Sequence, residues 1–455
     1  MRAVSKSTPS LHDLGVADAA RAIRRKELSP VDLVDALLDR IDKVDGRVQA
    51  WALLDRDGAR QAARAATEEL ARGVLRGPLH GVPFGAKDIF YTAGLRTEGG
   101  SKVMAGFMPS YDATSVARLK SAGAILLGKC HTTEFATYDP SPARNPWNTA
   151  CTPGGSSSGS AAAVAAREVP IALGTQTIGS NVRPAAYCGL VGLKPTLGRI
   201  STRGVMALSY TQDHVGLMTR SVEDMALGLS VTAGHDAGDP SSSRAPVPDY
   251  VAAIARRRPP RIGLLREFFF ERATAEVGRI TTQAVDRLAR AGAAVEEAKI
   301  PASLRVAQAA ANLIVRCDTA TVHADLFAQK ADLYRPAIRS MIETGLLVPS
   351  ESYVRSLRIR RQFRRELVQL LERYDVLLSP TTPAPAPEGM ATGDPQFQVP
   401  WSLSGFPSIT VPCGLTASGL PLGIQLASGP FTEAPLLAAA AWCEDVLGRG
   451  PAPNL

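Results

Sequence analysis

The 455-residue sequence has few of the residues that define metal-binding and disulfide-stabilised proteins. It contains six cysteines with no CxxC pair, and its six histidines do not cluster with them. This scattering predicts reduced, mostly buried thiols, and it disfavours a zinc site or a disulfide framework. Aromatic residues make up 5% of the chain, and no apolar run approaches the roughly 18 residues of a membrane span. We therefore expect no metal, no disulfide and no membrane-spanning segment.

The N-terminus also lacks the pattern of a secretory signal. The basic start at Met1–Lys6 is not followed by an apolar segment, and a signal peptide needs one. We therefore expect a cytoplasmic protein. The composition is ordinary, with 45% hydrophobic and 21% charged residues, and it favours a globular chain. A chain of this length buries enough surface to fold without metals or disulfides.

The charge is moderately basic, with a net value of +8, and a basic balance can indicate nucleic-acid binding. The densest arginine run lies between Arg355 and Arg365, on a segment with apolar residues at helical spacing. A solvated face of an amphipathic helix is the simpler interpretation, and a binding patch is the alternative. No RRM, KH or zinc-finger motif accompanies the run, so we do not predict a nucleic-acid partner.

Helix-like and strand-like segments alternate along the chain, which is typical of α/β proteins. The pattern predicts, for example, a buried strand at 124–127 and helices at 305–313 and 352–373. It indicates one large α/β sheet, with a helical excursion over about residues 270–370.

Two short motifs match functional patterns imperfectly. Gly123–Lys129 matches the GxxxxGK of a phosphate loop, but its interior is an apolar strand pattern and Cys130 replaces the magnesium-binding hydroxyl. Gly155–Gly159 matches the GxSxG of α/β-hydrolases, but no strand precedes it and His323 is the last histidine. We therefore predict no nucleotide site and keep the α/β-hydrolase triad as a weaker alternative.

Three segments could supply a base and turns that bind an anion. Pro153–Ser160 is a Gly/Ser turn that runs into an Ala-rich helix, and Gly174–Pro184 is a second turn with Ser180 near a helix start. Free N–H groups at such turns can converge on an oxyanion. Lys87 lies in an apolar run, where burial would lower its pKa and make it a base. Spacing alone leaves open a surface lysine paired with Asp88.

Together these segments resemble the amidase signature family, whose members use a Ser–cis-Ser–Lys triad. The resemblance is densest from Leu79 to Ser221 and resumes at Leu403–Pro407 and Gly419–Gly423. It implies the amidase signature fold, an α/β architecture whose large mixed twisted β-sheet is covered by helices on both faces. It also implies one amidase domain over residues 1–455, made of an N-terminal helical segment (1–75), a signature core (76–230), a helical excursion lining the substrate pocket (260–375) and C-terminal strands and helix (376–455).

The resemblance implies a role for individual residues. Lys87 matches the family's base, Ser156 the serine whose preceding peptide is cis, and Ser180 the nucleophile. The implied oxyanion hole consists of the backbone N–H groups that lead into the nucleophile, those of Thr177, Ile178, Gly179 and Ser180. Neutral Lys87 would draw a proton from Ser156, which draws one from Ser180 as it attacks the carbonyl. We therefore expect activity to rise with pH as Lys87 loses its proton.

The nucleophile segment departs from the commonest form in the family. Many members have Asp-Thr-Gly-Gly-Ser-Ile-Arg, whereas this chain has Gln176 at the first position and Ile178 in place of a glycine. Asn181 follows the nucleophile, and the arginine comes one place later, at Arg183. The chain's version resembles a branch of the family, and we expect Ile178 and Asn181 to tune substrate choice.

The resemblance implies hydrolysis of the C–N bond of amides through a seryl acyl-enzyme, with apolar or aryl amides favoured. The chain also resembles urethane-cleaving members, so carbamate and ester cleavage are expected too. Pocket walls are expected from 200–213, 305–345 and 390–402. The candidate substrate-binding residues are Ser157, Met206, Tyr210, Arg316 and Trp401.

The expected partner is a small-molecule amide or carbamate, with no cofactor, no metal, no nucleic acid and no membrane, and the expected state is a monomer or homodimer. The alternative is a glutamine-hydrolysing, partner-dependent subunit of a tRNA amidotransferase, for which the basic charge would be meaningful. A third possibility, a non-catalytic binding protein, is disfavoured because Lys87, Ser156 and Ser180 are all intact.

Overall fold

The computed structural model describes residues 10–455. The basic start at Met1–Lys6, used for the localisation prediction, lies outside the described residues, as do the first nine positions of the predicted N-terminal segment. Within the described range, no helix has both the length and the apolar character needed to cross a bilayer.

Eleven strands in the described range form one mixed sheet. Its strands are β1 (Trp51–Leu54), β2 (Pro83–Lys87), β3 (Ile125–Cys130), β4 (Ile171–Gln176), β5 (Val191–Lys194), β6 (His214–Thr219), β7 (Arg261–Leu264), β8 (Ala294–Glu297), β9 (Val376–Pro380), β10 (Ser408–Leu415) and β11 (Pro421–Ala427). Their order across the sheet is β1-β3-β2-β4-β6-β5-β10-β11-β9-β7-β8. Strands from early and late in the chain therefore share one sheet.

The helices flank this sheet. They are α1 (Val16–Arg24), α2 (Pro30–Val48), α3 (Arg56–Ala71), α4 (Thr114–Ser121), α5 (Ser158–Ala165), α6 (Val182–Tyr187), α7 (Val222–Thr232), α8 (Tyr250–Ala255), α9 (Phe269–Arg272), α10 (Ala275–Arg290), α11 (Leu304–Lys330), α12 (Pro336–Leu346), α13 (Ser350–Leu371), α14 (Val399–Ser404) and α15 (Glu433–Leu447). The prediction of a mixed α/β fold with a large helix-flanked sheet is confirmed.

The helical excursion is longer and more regular than the sequence pattern indicated. Helix α11 continues 17 residues beyond the predicted end at 313, and α12 was not predicted. The extension carries β-branched residues such as Val315, Thr319 and Val322, which lower helix propensity. Packing of α11 against α12 and α13 supplies the stabilisation that local propensity does not.

The centre of the sheet brings the ends of two strands together. Strand β2 lies between β3 and β4 and runs parallel to both. The carboxyl ends of parallel strands meet at one edge of a sheet, which is where α/β proteins build their sites. Lys87 ends β2, and Thr175 is the penultimate residue of β4. The loop that follows β4 carries Ser180 along the same edge.

Helix α5 packs closely against this part of the sheet because its residues are small. A Cβ added at Gly159 would lie 2.2 Å from the carbonyl oxygen of Ala50 and 2.4 Å from the nitrogen of His131. All eight residues of α5 are buried, and most are alanine, glycine or serine. The Ala-rich run therefore lets the segment before it, which contains Ser156, approach the ends of β2 and β4.

The segment that matches a phosphate loop is a strand with a structural lysine. Strand β3 starts at Ile125, and Lys129 within it is fully buried. Its Nζ lies 3.2 Å from a carboxylate oxygen of Asp88 and donates to the carbonyl of Phe90 at 2.8 Å and to Thr97 Oγ1 at 2.6 Å. Burial lowers the pKa of Lys129 and raises the pKa of Asp88, and the pair's mutual attraction partly offsets both shifts. This pair anchors the chain just beyond Lys87.

Replacing Lys129 with methionine is expected to lower the free energy of unfolding by about 3–5 kcal/mol, because it leaves the Asp88 carboxylate buried without its cation. Urea unfolding followed by circular dichroism measures the change. Arg355→Ala is the matched control, since the Arg355–Glu351 pair is exposed and contributes little. Equal, small effects of both substitutions would contradict this role for the buried pair.

Candidate active site

Lys87 contacts one serine and one threonine. Its Nζ donates to Ser156 Oγ and to Thr175 Oγ1, each at 2.8 Å. The side chain has no solvent exposure. Burial therefore lowers the pKa of Lys87 well below that of a free lysine, while the charge of Asp213 opposes part of the shift. The alternative of a surface lysine paired with Asp88 is wrong, because Asp88 pairs with Lys129 instead.

Ser156 follows a cis peptide bond, Gly155–Ser156. Hydrogen bonds hold both sides of this peptide. Arg183 donates to the Gly155 carbonyl at 2.7 Å, and the Ser156 carbonyl accepts from the N–H of Thr133 at 3.2 Å. The serine hydroxyl is thereby presented to Lys87.

Ser180 lies in a loop with several free backbone donors. Its carbonyl accepts from the N–H of Ser157 at 3.2 Å, while its hydroxyl forms no hydrogen bond to any residue in the range 10–455. Within the same range, four successive N–H groups also have no acceptor, those of Thr177, Ile178, Gly179 and Ser180. Four free donors beside a hydroxyl can bind an oxygen that becomes negatively charged. The predicted oxyanion-hole residues therefore lie together beside Ser180.

The half-buried carboxylate of Asp213 supports the start of this loop. Asp213 accepts from Thr177 Oγ1 at 2.5 Å and from the N–H groups of Leu208 and Ser209 at 2.8 and 3.0 Å. Burial raises the pKa of Asp213, and these hydrogen bonds oppose the shift. Asp213 thus ties the loop after β4 to the segment that lines the neighbouring cavity.

Two adjoining cavities open beside Ser180. The apolar residues that line the nearer one are Ala136, Ile178, Leu208, Val315, Met341 and Pro395. Its polar lining includes Thr137, Tyr138 and Arg183. The second has a volume of about 420 Å³ and shares Ala136, Thr177 and Leu208 with the first. Together they form an approach to Ser180 and the free N–H groups.

Of the predicted substrate-binding residues, two line the cavities and three do not. Met206 and Tyr210 line the larger cavity. Ser157 is buried, and its hydroxyl pairs with the backbone of Thr175. Arg316 lies on α11 and lines neither cavity. Trp401 also lines neither, because it is buried in the same apolar cluster as Ile178.

Several residues of the site had no assigned role in the sequence analysis. Thr175 contacts Lys87, and Asp213 contacts the loop at Thr177. Both contacts arise because segments distant in the sequence meet at the sheet edge. Val315 and Met341 reach the cavity from helices α11 and α12. The position of Arg183 in the nucleophile motif was the signal in the sequence that this arginine matters. The structure shows its role, because it donates to the Gly155 and Gly393 carbonyls.

Two serines, a buried amine and a row of free N–H groups define a serine hydrolase in which lysine takes the usual place of histidine. The chain belongs to the amidase signature family, since the Amidase family model matches residues 32–437. The native peptide amidase from Stenotrophomonas maltophilia superposes with a TM-score of 0.87 at 31% identity, over 97% of this chain and 98% of that chain. The chain is therefore an amidase-family enzyme that acts on C–N bonds.

A curated relative from Geobacter sp. (strain M21) is named as one of the subunits of glutamyl-tRNA(Gln) amidotransferase. It is 38% identical, over 94% of this chain and 96% of its own length. Seven other curated relatives bear the same name at 36% to 40% identity. A solved structure described as a vestigial protein complex revealing the origins of an s-triazine catabolic enzyme matches with a TM-score of 0.90 at 30% identity, over 96% of this chain and 100% of that chain.

These relatives contradict the expected partners. A small-molecule amide or carbamate, with no nucleic acid and a monomeric or homodimeric state, does not agree with relatives named as subunits of a tRNA-dependent enzyme. The sequence analysis found no RNA-binding motif to suggest such a partner. The partner prediction was therefore wrong.

The catalytic rate is expected to rise with pH and then level off. Protonated Lys87 cannot accept a proton, and burial lowers its pKa, so the plateau should begin well below the pH at which a free lysine deprotonates. A pH–rate profile of kcat checks this. A rise only near the pKa of a free lysine would contradict the role of this buried Lys87 as base.

Replacing Gly179 with alanine is expected to lower kcat by about 10²–10³-fold, the effect of losing an oxyanion donor. The new Cβ would lie 3.1 Å from both Gln398 Oε1 and Pro395 Cβ, which would displace the loop. Steady-state kinetics measures the change. Gly278→Ala is the control, because its Cβ has room in the first turn of α10, and an unchanged kcat in both variants would refute this account.

Proposed function

We propose that the chain hydrolyses the side-chain amide of glutamine and works as one subunit of a tRNA amidotransferase. The observation that carries this proposal is the near full-length match, at 38–40% identity over 94–98% of the chain, to curated relatives with that name. The contact of Lys87 with Ser156 supports it, because it leaves the hydrolytic machinery intact.

Ser180 is the proposed nucleophile. Its hydroxyl turns toward Ser156 and attacks the amide carbonyl, while its proton passes through Ser156 to neutral Lys87. The tetrahedral oxyanion is stabilised by the free N–H groups of residues 177–180. The proton then returns through Ser156 to the departing nitrogen, and ammonia leaves. Water hydrolyses the acyl-enzyme by the same relay and releases the acid.

The charge of the surface is compatible with an anionic partner. On helix α13, Arg355 pairs with Glu351. Arg358, Arg361 and Arg365 are exposed and form no ion pair with any residue in the range 10–455. Unpaired arginines attract phosphate groups over several ångströms at moderate ionic strength. This supports an assembly that handles RNA.

A second candidate function is hydrolysis of amides whose acyl group is apolar. It is favoured by the walls of the cavity next to Ser180, where Ile178, Val315 and Met341 offer hydrocarbon surface. These side chains do not bind the charged ammonium of a glutamine acyl group, whereas Arg183, which also lines the cavity, is a cation that can meet its carboxylate. Carbamates share the acyl chemistry and belong in the same test.

Glutamine hydrolysis is expected to be weak for the chain alone and strong when partner subunits from its own host are co-purified with it. Release of glutamate and ammonia is measured with and without tRNA, and Ser180→Ala is the control that removes the nucleophile. An apolar p-nitroanilide and an aryl carbamate run in parallel. Turnover of these two by the chain alone, with none of glutamine in any preparation, would reject the amidotransferase proposal and favour the second candidate.

A further inference from the structure

Gln176 connects the end of β4 to the start of α6. Its Oε1 accepts from the N–H groups of Asn181 and Val182 at 3.0 and 2.9 Å. Two N–H donors require an oxygen at this position, so the orientation of the side-chain amide is fixed. Its Nε2 consequently faces α14, where it donates to Ser402 Oγ at 3.0 Å. The side chain of Gln176 is fully buried.

Ser402 connects Gln176 to the loop that precedes Ser180. Because its oxygen accepts from Gln176, its own proton is directed elsewhere, and it donates to the Ile178 carbonyl at 2.5 Å. The peptide between Ile178 and Gly179 is planar and trans, so its C=O and N–H point in opposite directions. Fixing the Ile178 carbonyl therefore fixes the direction of the Gly179 N–H.

Within residues 10–455, the hydrogen bond from Ser402 is the only one that the Ile178–Gly179 peptide makes. The Gly179 N–H has no acceptor there, and the Ile178 carbonyl has Ser402 as its donor. Glycine on one side of the peptide makes rotation easy. A rotated peptide would turn the carbonyl oxygen toward the developing negative charge and remove a donor from it.

We propose that Ser402 is a positioning residue for the oxyanion hole, held in its donating orientation by Gln176. It acts through the Ile178–Gly179 peptide and does not touch the substrate. This inference rests on the proposed function only in taking Ser180 as the nucleophile; it does not depend on which acyl group the enzyme accepts.

The test uses an alkyl fluorophosphonate, which reports the chemistry at Ser180 without an amide substrate. Ser180 Oγ forms a bond to phosphorus, fluoride leaves, and the serine proton passes through Ser156 to Lys87. The phosphoryl oxygen occupies the position of the oxyanion. Intact-mass spectrometry of the full chain at several probe concentrations separates the maximal labelling rate from the probe concentration giving half that rate.

Ser402→Ala is expected to lower the maximal labelling rate by about 10- to 100-fold, with the half-saturating concentration changed less than about threefold, because the donor is misdirected and not deleted. Ser402→Thr keeps the hydroxyl and should restore the rate to within about threefold. Gln176→Glu should also slow labelling, since the Ser402 proton would turn to the new carboxylate and release Ile178.

Ser404→Ala is the matched control. Ser404 lies on the same helix and is equally buried, but its hydroxyl donates to the Trp401 carbonyl and not to the loop. Urea unfolding of every variant shows which of them are folded. Labelling of Ser402→Ala at the wild-type rate, or an equal loss in Ser404→Ala, would overturn the inference. Failure of the wild-type chain to react at Ser180 would instead refute the proposed nucleophile.

Discussion

The site depends on the removal of one lysine amine from water. Lys87 ends a buried strand, and its Nζ has only hydroxyl groups, those of Ser156 and Thr175, as its hydrogen-bond partners within residues 10–455. Two hydroxyl groups are adequate hydrogen-bond partners for a neutral amine but solvate a charged ammonium poorly. The surroundings of Lys87 therefore favour its neutral, unprotonated form. The parallel pairing of β2 with β4 and the close approach of the small-residue helix α5 both serve this contact. A bulkier helix would let water reach the amine.

A second constraint acts on the backbone. An enzyme that stabilises an oxyanion with N–H groups must leave those groups without acceptors before the substrate arrives, and unpaired donors tend to find partners. Here Ser402 donates to the Ile178 carbonyl, and two other side chains fix the ends of the loop. Asp213 accepts from the Thr177 hydroxyl, and Gln176 accepts from the N–H groups of Asn181 and Val182. The N–H side is thereby kept free. Buried polar side chains, costly elsewhere in the core, are used to shape the peptide backbone.

Much of the candidate site could be predicted from the sequence, because its residues lie in contiguous motifs that resemble those of the family. Lys87, Ser156 and Ser180 were assigned from such motifs, and the mixed α/β fold followed from alternating helix and strand patterns. Thr175, Asp213 and Ser402 could not be, since their roles depend on which strands become neighbours. Trp401 was expected in the pocket because it lies in the segment 390–402, but a large apolar side chain suits the core equally well, and it packs there. The mistaken partner prediction had a similar origin, because recognition of a macromolecule can be delegated to another chain and leave no motif behind.

The position of Ser402 in the chain has a consequence for biosynthesis. The residues matched to the base, the second serine and the nucleophile all lie before residue 181, within the first half of the polypeptide to leave the ribosome. The helix that carries Ser402, and the strands β10 and β11 that complete the sheet beside β5, are made last. A nascent chain can therefore hold its reactive groups without the backbone geometry that makes them effective. We therefore expect Ser180 to become fully reactive only when the C-terminal part of the polypeptide has been made and has folded onto the sheet.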